Sequence, residues 1–334
     1  MILLVYRYDS TFIAIDRAIL GERGEVEDWS GRKPMKPLAT WRAVRRSKLV
    51  VGWFAGWHAV LPVLFARLQR KPALMIVGGI DAASLPEIGY GFQRGGPRQW
   101  AARFCMKRAS ALLTNSHYSR TELERNAGVD PARVRVVHHG LPDPFGELPV
   151  EPRAVSVLTV GVADERNLER KGLRPFVEAA AELPDVPFVL VGRAEGEAGE
   201  KLRAIAPANV EITGFVEPEE LDQRYRSATI YVQASLHEGF GMAVVEAMLA
   251  GAIPVVSDRG ALPEVVGDAG IVVEGVDPEA IASGIRRALN EGADMRMRAR
   301  ERALSQFNLD MRERGLLSAV DELVERPPTP ARQP

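Results

Sequence analysis

Residues His237–Pro254 (HEGFGMAVVEAMLAGAIP) read as a loop, a helix and the start of a buried strand. Thr229–Gln233 before them is apolar and β-branched, and Ile253–Ser257 is another such run. A strand–loop–helix–strand unit of this length commits the chain to a parallel sheet covered by helices. Gly239 and Gly241 make an elbow where backbone amides come close to a ligand. The helix from about Met242 to Ala250 then points its unpaired N–H groups and positive dipole above the strand ends. Glu238 precedes the elbow and Glu246 lies about two turns further on. Amides that donate to phosphate, flanked by carboxylates that accept from hydroxyls, suit a ligand carrying both groups.

Glu238 and Glu246, with seven residues between them, resemble the paired-glutamate motif of the retaining glycosyltransferases of the GT-B fold, in the large family four. The resemblance continues through Glu238-Gly-Phe-Gly241, Glu246-Ala-Met, Gly251-Ala-Ile-Pro-Val-Val and Gly260-Ala-Leu-Pro-Glu264-Val-Val. Two glutamates eight apart would mean little alone; the whole string is specific. It implies an α/β protein of two Rossmann-like, doubly wound parallel-sheet domains facing across a cleft. It also implies transfer of a hexosyl group from a nucleoside-diphosphate sugar to an acceptor hydroxyl, with retention. Residues 1–146 are expected to form the acceptor-side domain and 153–310 the donor domain. The resembled fold brings a terminal helix, here 311–325, back to the first domain; 326–334 read as a disordered tail.

The chain has 334 residues, 46% hydrophobic and 26% charged, which suits a globular protein with sizeable cores. Its one cysteine, Cys105, excludes an internal disulfide and a multi-cysteine metal site; it reads as a buried helical thiol. That usage, with Met1–Tyr6 read as a first strand rather than a leader, gives the expectation of a cytoplasmic protein. Leu49–Ala66 carries no formal charge over 18 residues, but Gly52, Gly56, His58 and Pro62 divide it into a strand and a helix. Residues 1–150 carry 22 Lys and Arg against 13 Asp and Glu, and the remainder carries 21 against 31. A basic half followed by an acidic half suggests different partners for each.

In the first half, strands are expected at Ile2–Tyr8, Leu49–Phe54, Ala73–Val77, Ala111–Asn115 and Val134–His138, with helices between them. Ligands on such sheets sit beyond the strands' carboxyl ends. That directs attention to the long glycine-rich loop Gly78–Gly96, with Asp81, Glu87 and Tyr90. In the resembled family this loop faces donor sugar and acceptor, often with a histidine, and Asp81 stands at the comparable place; Asp81 alternatively turns the loop. Asp81, Glu87 and Tyr90 form the expected acceptor side. The Gly-Gly turn that family members carry after the first strand is replaced by Arg7-Tyr8-Asp9-Ser10-Thr11, which leaves Ser10 or Thr11 to fill its role. His138 and His139 are adjacent, so they face opposite ways in a strand, which speaks for a core or hinge role over a metal pair. Basic residues interleaved with Trp29 and Trp41 over 29–48, and a second group from Arg94 to Arg108, fit an anionic membrane surface, an anionic soluble acceptor or a solvated helix face. No nucleic-acid module accompanies them.

Pro142–Pro152 has the composition of a linker. Beyond it strands are expected at Val155–Gly161, Phe188–Val191, Val210–Thr213, Thr229–Gln233, Ile253–Ser257 and Ile271–Val273, and one long helical segment over Ala293–Glu325. Lys171-Gly172 can bring a flexible point charge to a diphosphate. In the resembled family a Lys-Gly does so beside an arginine that follows the strand's glycine. Here Val162 holds that place, leaving Arg166 or Arg170 to substitute. The family sets the nucleobase against the loop that corresponds to Gly214-Phe215-Val216. Lys171, Arg166, Gly214, Phe215, Glu238–Ala243 (with Gly239, Phe240, Gly241 and Met242) and Glu246 are therefore the expected donor-binding residues. Lys171, Glu238 and Asp81 are the expected catalytic residues. No Asp-x-Asp pair stands out to hold a divalent ion, so neither metal nor cofactor is expected besides the donor. The acceptor is a glycan, a lipid-linked or a small anionic molecule, with peripheral contact at the inner face of a membrane as an extension of the basic half. Alternative readings are a nucleotide-sugar epimerase or a weak sugar-nucleotide-binding protein on the same scaffold.

Overall fold

The computed structural model describes residues 1–31, 36–148 and 153–325. The chain divides into two compact units, one of Met1–Gly140 with Leu309–Pro334 and one of Leu141–Asn308. Part of the basic stretch (Arg32, Lys33) and the expected tail 326–334 lie outside the described residues.

Unit 1 runs β1 (Ile2–Tyr6), α1 (Thr11–Gly21), β2 (Val26–Ser30), α2 (Pro37–Arg46), β3 (Leu49–Trp53), α3 (Trp57–Leu68), β4 (Ala73–Val77), α4 (Gly96–Arg108), β5 (Ala111–Thr114), α5 (His117–Ala127) and β6 (Val134–Val136). Its strands are all parallel, in the order β2-β1-β3-β4-β5-β6. The period of two in β1 builds both faces: Leu3 and Val5 join α2, α3 and α4, while Ile2, Leu4 and Tyr6 join α1. The uncharged stretch from Leu49 is indeed a strand and a helix, and no described helix is long and apolar enough to cross a membrane. β2 (VEDWS) escaped the sequence reading because it is an edge strand, half exposed and polar.

Unit 2 runs β7 (Val157–Val160), α6 (Glu165–Arg170), α7 (Leu173–Ala179), β8 (Phe188–Val191), α8 (Gly196–Ile205), β9 (Val210–Gly214), α9 (Pro218–Ser227), β10 (Ile230–Gln233), α10 (Met242–Leu249), β11 (Ile253–Ser257), α11 (Leu262–Val266), β12 (Ile271–Val273), α12 (Pro278–Asn290) and α13 (Ala293–Gln306). Its parallel order is β12-β11-β10-β7-β8-β9. Counted from its own first strand this is the 3-2-1-4-5-6 winding of a dinucleotide-binding fold. α6 was not foreseen because its sequence, ERNLER, has one apolar residue; Asp164 caps it by accepting from Asn167 N at 2.8 Å.

The expected continuous helix over Ala293–Glu325 is broken at Phe307-Asn308 into α13 and α14 (Leu309–Glu325), and α14 belongs to unit 1. Leu141 N donates to Phe307 O at 2.8 Å, so both passages of the chain out of unit 2 lie side by side. The division also falls earlier than residue 146. Leu141 and Phe145 are buried in the core of unit 2, and Arg226 donates to Pro144 O and Phe145 O. In unit 1, Arg312 of α14 forks onto Asp16 of α1 at 2.6 and 2.9 Å and donates to Val137 O. Trp53 Nε1 donates to the same carboxylate at 2.9 Å. His139 stacks on Trp53 with ring centroids 5.8 Å apart, and burial holds its imidazole well below its usual pKa. That histidine is a core residue.

Candidate functional site

The winding of each sheet reverses once, and the loops on either side of the reversal leave a crevice at the carboxyl ends. In unit 2 the reversal lies between β7 and β10. The loops after these strands carry Lys171 and Glu238, so the topology alone brings together residues 67 positions apart.

Gly172 makes this approach possible. Its φ is +65°, and a Cβ there would lie 1.9 Å from Ala234 O just beyond β10. Any side chain would push Lys171 away from the crevice. Leu236 N donates to Arg170 O at 2.8 Å, which ties the two loops directly.

Glu238 is set by a chain of side-chain hydrogen bonds running out of β10. Tyr231 Oη donates to Gln233 Oε1 at 2.9 Å, Gln233 Nε2 to Ser235 Oγ at 2.8 Å, and Ser235 Oγ to Glu238 Oε1 at 3.2 Å. The Arg170 guanidinium lies 3.7 Å from the same Oε1 and also donates to His237 O. Both described contacts fall on Oε1, and the Glu238 side chain keeps 18% of its surface exposed. A relay of this kind fixes one rotamer and leaves the second oxygen available for a ligand hydroxyl.

Gly241, at φ +109°, precedes α10 and supplies no side-chain cap. The first amides of α10, at Met242 and Ala243, therefore keep their donor capacity, on half-buried residues. The Phe240 side chain is buried against Phe307, so of the expected donor-binding residues it contributes backbone only. Glu246, about one turn into α10, accepts from Tyr225 Oη at 2.8 Å. Burial raises its pKa, opposed by that hydrogen bond and by the nearby Lys171 ammonium. Lys171 and Glu246 thus share one electrostatic neighbourhood.

The loops after β8 and β9 complete the edge. Gly192 N donates to Gly214 O at 3.0 Å, and the exposed Phe215 ring has the Arg193 guanidinium 6.0 Å from its centroid. Arg166 is exposed on α6, whereas Arg170 touches Glu238. The arginine beside the motif is therefore Arg170. Sequence reasoning missed Tyr225 and Ser235 altogether. Tyr225 is 21 residues from its partner on another helix, and no local pattern could pair them.

In unit 1 the reversal lies between β1 and β3. Asp81, in the loop after β4, is fully buried, and its carboxylate accepts from Ala55 N at 2.8 Å and Gly78 N at 2.9 Å. Phe54, next to Ala55, is held at φ +61°, a strained position for an aromatic residue. Burial pushes the Asp81 carboxyl up to about 7. Asp81 therefore ties the loop after β4 to the loop after β3 and does not face solvent; this corrects its expected role at the substrate. Glu87 is exposed and Tyr90 half-buried, the latter paired through its backbone to Leu85. Ser10 Oγ is buried, with no hydrogen-bond partner among the described residues. Cys105 is buried as expected, and burial pushes its thiol up to about 12, which makes it unreactive.

Two parallel-sheet units, one with an uncapped helix start flanked by two carboxylates at its strand ends, define a two-domain α/β architecture. The chain belongs to the glycosyltransferases: residues 156–306 match the family described as "Glycosyl transferases group 1" and residues 22–140 match a "Glycosyl transferase 4-like domain". It is 32% identical over 216 residues to a D-inositol 3-phosphate glycosyltransferase of Mycobacterium sp. (strain KMS), covering 58% of this chain and 48% of that protein. It is 42% identical over 78 residues to O-antigen chain mannosyltransferase B of Escherichia coli, 23% of this chain and 20% of the relative. The chain thus spans about half or less of the length of these curated relatives. Among solved structures it resembles Anabaena Alr3699/HepE in complex with UDP and glucose, with TM-score 0.77 and 18% identity over 96% of this chain and 99% of that one. A sucrose-phosphate synthase from Thermosynechococcus elongatus gives TM-score 0.76 at 18% identity, over 97% of this chain and 99% of that one. These likenesses show the GT-B fold.

Proposed function

We propose that the chain transfers a hexosyl group from a nucleoside-diphosphate sugar to an acceptor hydroxyl, with retention at the anomeric carbon. The observation that carries this reading is the crevice between β7 and β10, bordered by the loops that carry Lys171 and Glu238 and by the start of α10. The bond from the anomeric carbon to the β-phosphate oxygen breaks, and a bond from that carbon to the acceptor oxygen forms. The acceptor's proton passes to the departing diphosphate, so no protein nucleophile is required. Charge grows on the diphosphate, and a fixed ammonium with helix-start amides stabilises it without reorganising. Glu246 accepts from ribose hydroxyls. Glu238, oriented by Ser235 and Arg170, accepts from the donor sugar. Gly214 and Phe215 border the base. Of the two arginines that the sequence offered for the supporting place, Arg170, 3.7 Å from Glu238, takes it.

The test is release of nucleoside diphosphate from a panel of nucleotide sugars, with and without cell-extract acceptors. UDP-glucose heads the panel, because a structural relative is in complex with UDP and glucose. Release that rises with an acceptor and yields a product of unchanged anomeric configuration by NMR is the expected result. Failure to bind any donor would remove the reading. Donor binding without release under every acceptor would favour the weak binding protein.

A further inference from the structure

We propose that the outer surface of α2, α3 and α4 in unit 1 is a docking face for an anionic lipid bilayer. The three helices share one core on one face of the sheet with α5, whose Glu122 and Glu124 are matched by Arg120 and Arg125. None of the three contains an acidic residue, and the sequence carries none from Gly31 to Ile80. Arg42, Arg45, Arg67, Arg98, Lys107 and Arg108 are exposed on them. The helix α14, on the other face of the sheet, is net acidic, with Asp310, Glu313, Asp321, Glu322 and Glu325 against Arg312 and Arg314. The positive field is therefore one-sided.

Charge alone would describe any polyanion site; the apolar side chains on the same helices narrow it. Leu38 is 62% exposed, Leu68 61%, Trp100 54% and Trp57 45%. Trp57 and Trp100 lie 5.5 Å apart by ring centroids, and Trp100 and Phe104 5.2 Å. The Arg108 guanidinium stands 4.1 Å over the Phe104 ring. Trp57, Leu61, Leu64 and Leu68 recur at helical spacing on α3 and are all half-buried or exposed. Aromatic rings with basic residues around them match the headgroup region, where an indole finds apolar and polar surroundings together. Exposed leucines gain nothing from a phosphodiester backbone but gain from acyl chains. Trp29 and Trp41, which the sequence suggested for this role, are half-buried, and Trp41 packs on Phe65. The face is built from other aromatics than those interleaved with the first basic run.

All five tryptophans of the chain lie in unit 1, and only Trp57 and Trp100 are exposed. The full chain is therefore titrated with phosphatidylcholine vesicles with and without phosphatidylglycerol, some made with brominated acyl chains, at low and high salt. Binding to the anionic vesicles should be at least about tenfold tighter than to neutral ones and weaken as salt rises. Brominated chains should quench the tryptophan emission. Arg98→Glu with Lys107→Glu should abolish binding, and Trp100→Ser with Leu68→Ser should weaken it and reduce the quenching, both without changing nucleoside diphosphate release in the absence of lipid. No association with anionic vesicles overturns the proposal. So does association without quenching that soluble heparin competes away, which would identify a polyanion or acidic-protein face instead. Binding unchanged in both variants also overturns it.

Discussion

The carboxyl ends of the two sheets are finished in opposite ways. In unit 1 Asp81 reaches between two loops, gives its oxygens to backbone amides and is sealed from water. In unit 2 Glu238 is held by Ser235 and Arg170 through one oxygen, with part of its side chain exposed. Both are carboxylates in loops at the carboxyl ends of a parallel sheet. Burial separates them: a carboxylate whose partners are all backbone shapes a loop, and one supported from behind presents itself to a ligand. The units also differ in what crosses them. Unit 1 receives a helix from the far end of the chain through a buried Asp16–Arg312 pair, while unit 2 is one continuous segment.

The comparison is tested most severely at that pair. Arg312→Ala leaves the Asp16 carboxylate buried without its cation, which typically costs about 3–5 kcal/mol. Because every tryptophan is in unit 1, urea unfolding followed by tryptophan emission reports that unit. The midpoint should fall, with donor binding to unit 2 retained. Asp16→Leu with Arg312→Leu should recover part of the loss. An unchanged midpoint in Arg312→Ala would mean that α14 is held by apolar contacts alone.

Asp81 supplies the next effect. Burial raises its folded pKa to about 7, above the ordinary aspartate value of about 4, so the folded state retains a proton that the unfolded state releases. Its favourable contribution is present below the unfolded pKa and is lost as pH rises towards 7, by up to about 4 kcal/mol. Asp81→Asn removes that slope. The variant should gain on the wild type between about pH 4 and 7 in the same unfolding assay. Parallel pH profiles would show that Asp81 is ionised in its loop.

On the unit 2 side, Lys171→Ala should lower kcat/KM for nucleoside diphosphate release by about 10²–10³, the usual loss for one preorganised charge stabiliser, with tryptophan-monitored unfolding unchanged. A loss below threefold would remove Lys171 from the leaving group. Smallest is Glu246→Gln, which should weaken donor binding about tenfold in calorimetry, a charged hydrogen bond becoming neutral. Affinity equal to wild type would remove its ribose role.

The strands of both sheets were legible because parallel strands buried on both faces are written as short apolar runs such as Ile2–Tyr6 and Ile253–Ser257. The paired glutamates and Lys171 were legible through local strings. β2 and α6 were not, since an edge strand and a capped polar helix bury too little to leave a pattern. The break at Phe307-Asn308 was hidden because both flanking segments have helical composition, and only the passage between units interrupts them.

What the sequence determined by itself is therefore local: strand–helix alternation, the glycine elbow before α10, the spacing of Glu238 and Glu246, and the net positive charge of the first half. Tertiary structure decided which carboxylate is exposed, which arginine stands beside Glu238, and which tryptophans reach the surface. Those outcomes depend on burial and on partners far apart in the chain: Tyr225 with Glu246, Arg170 with Glu238, and Arg312 with Asp16. Burial is a property of the packed chain, and no window of sequence contains it.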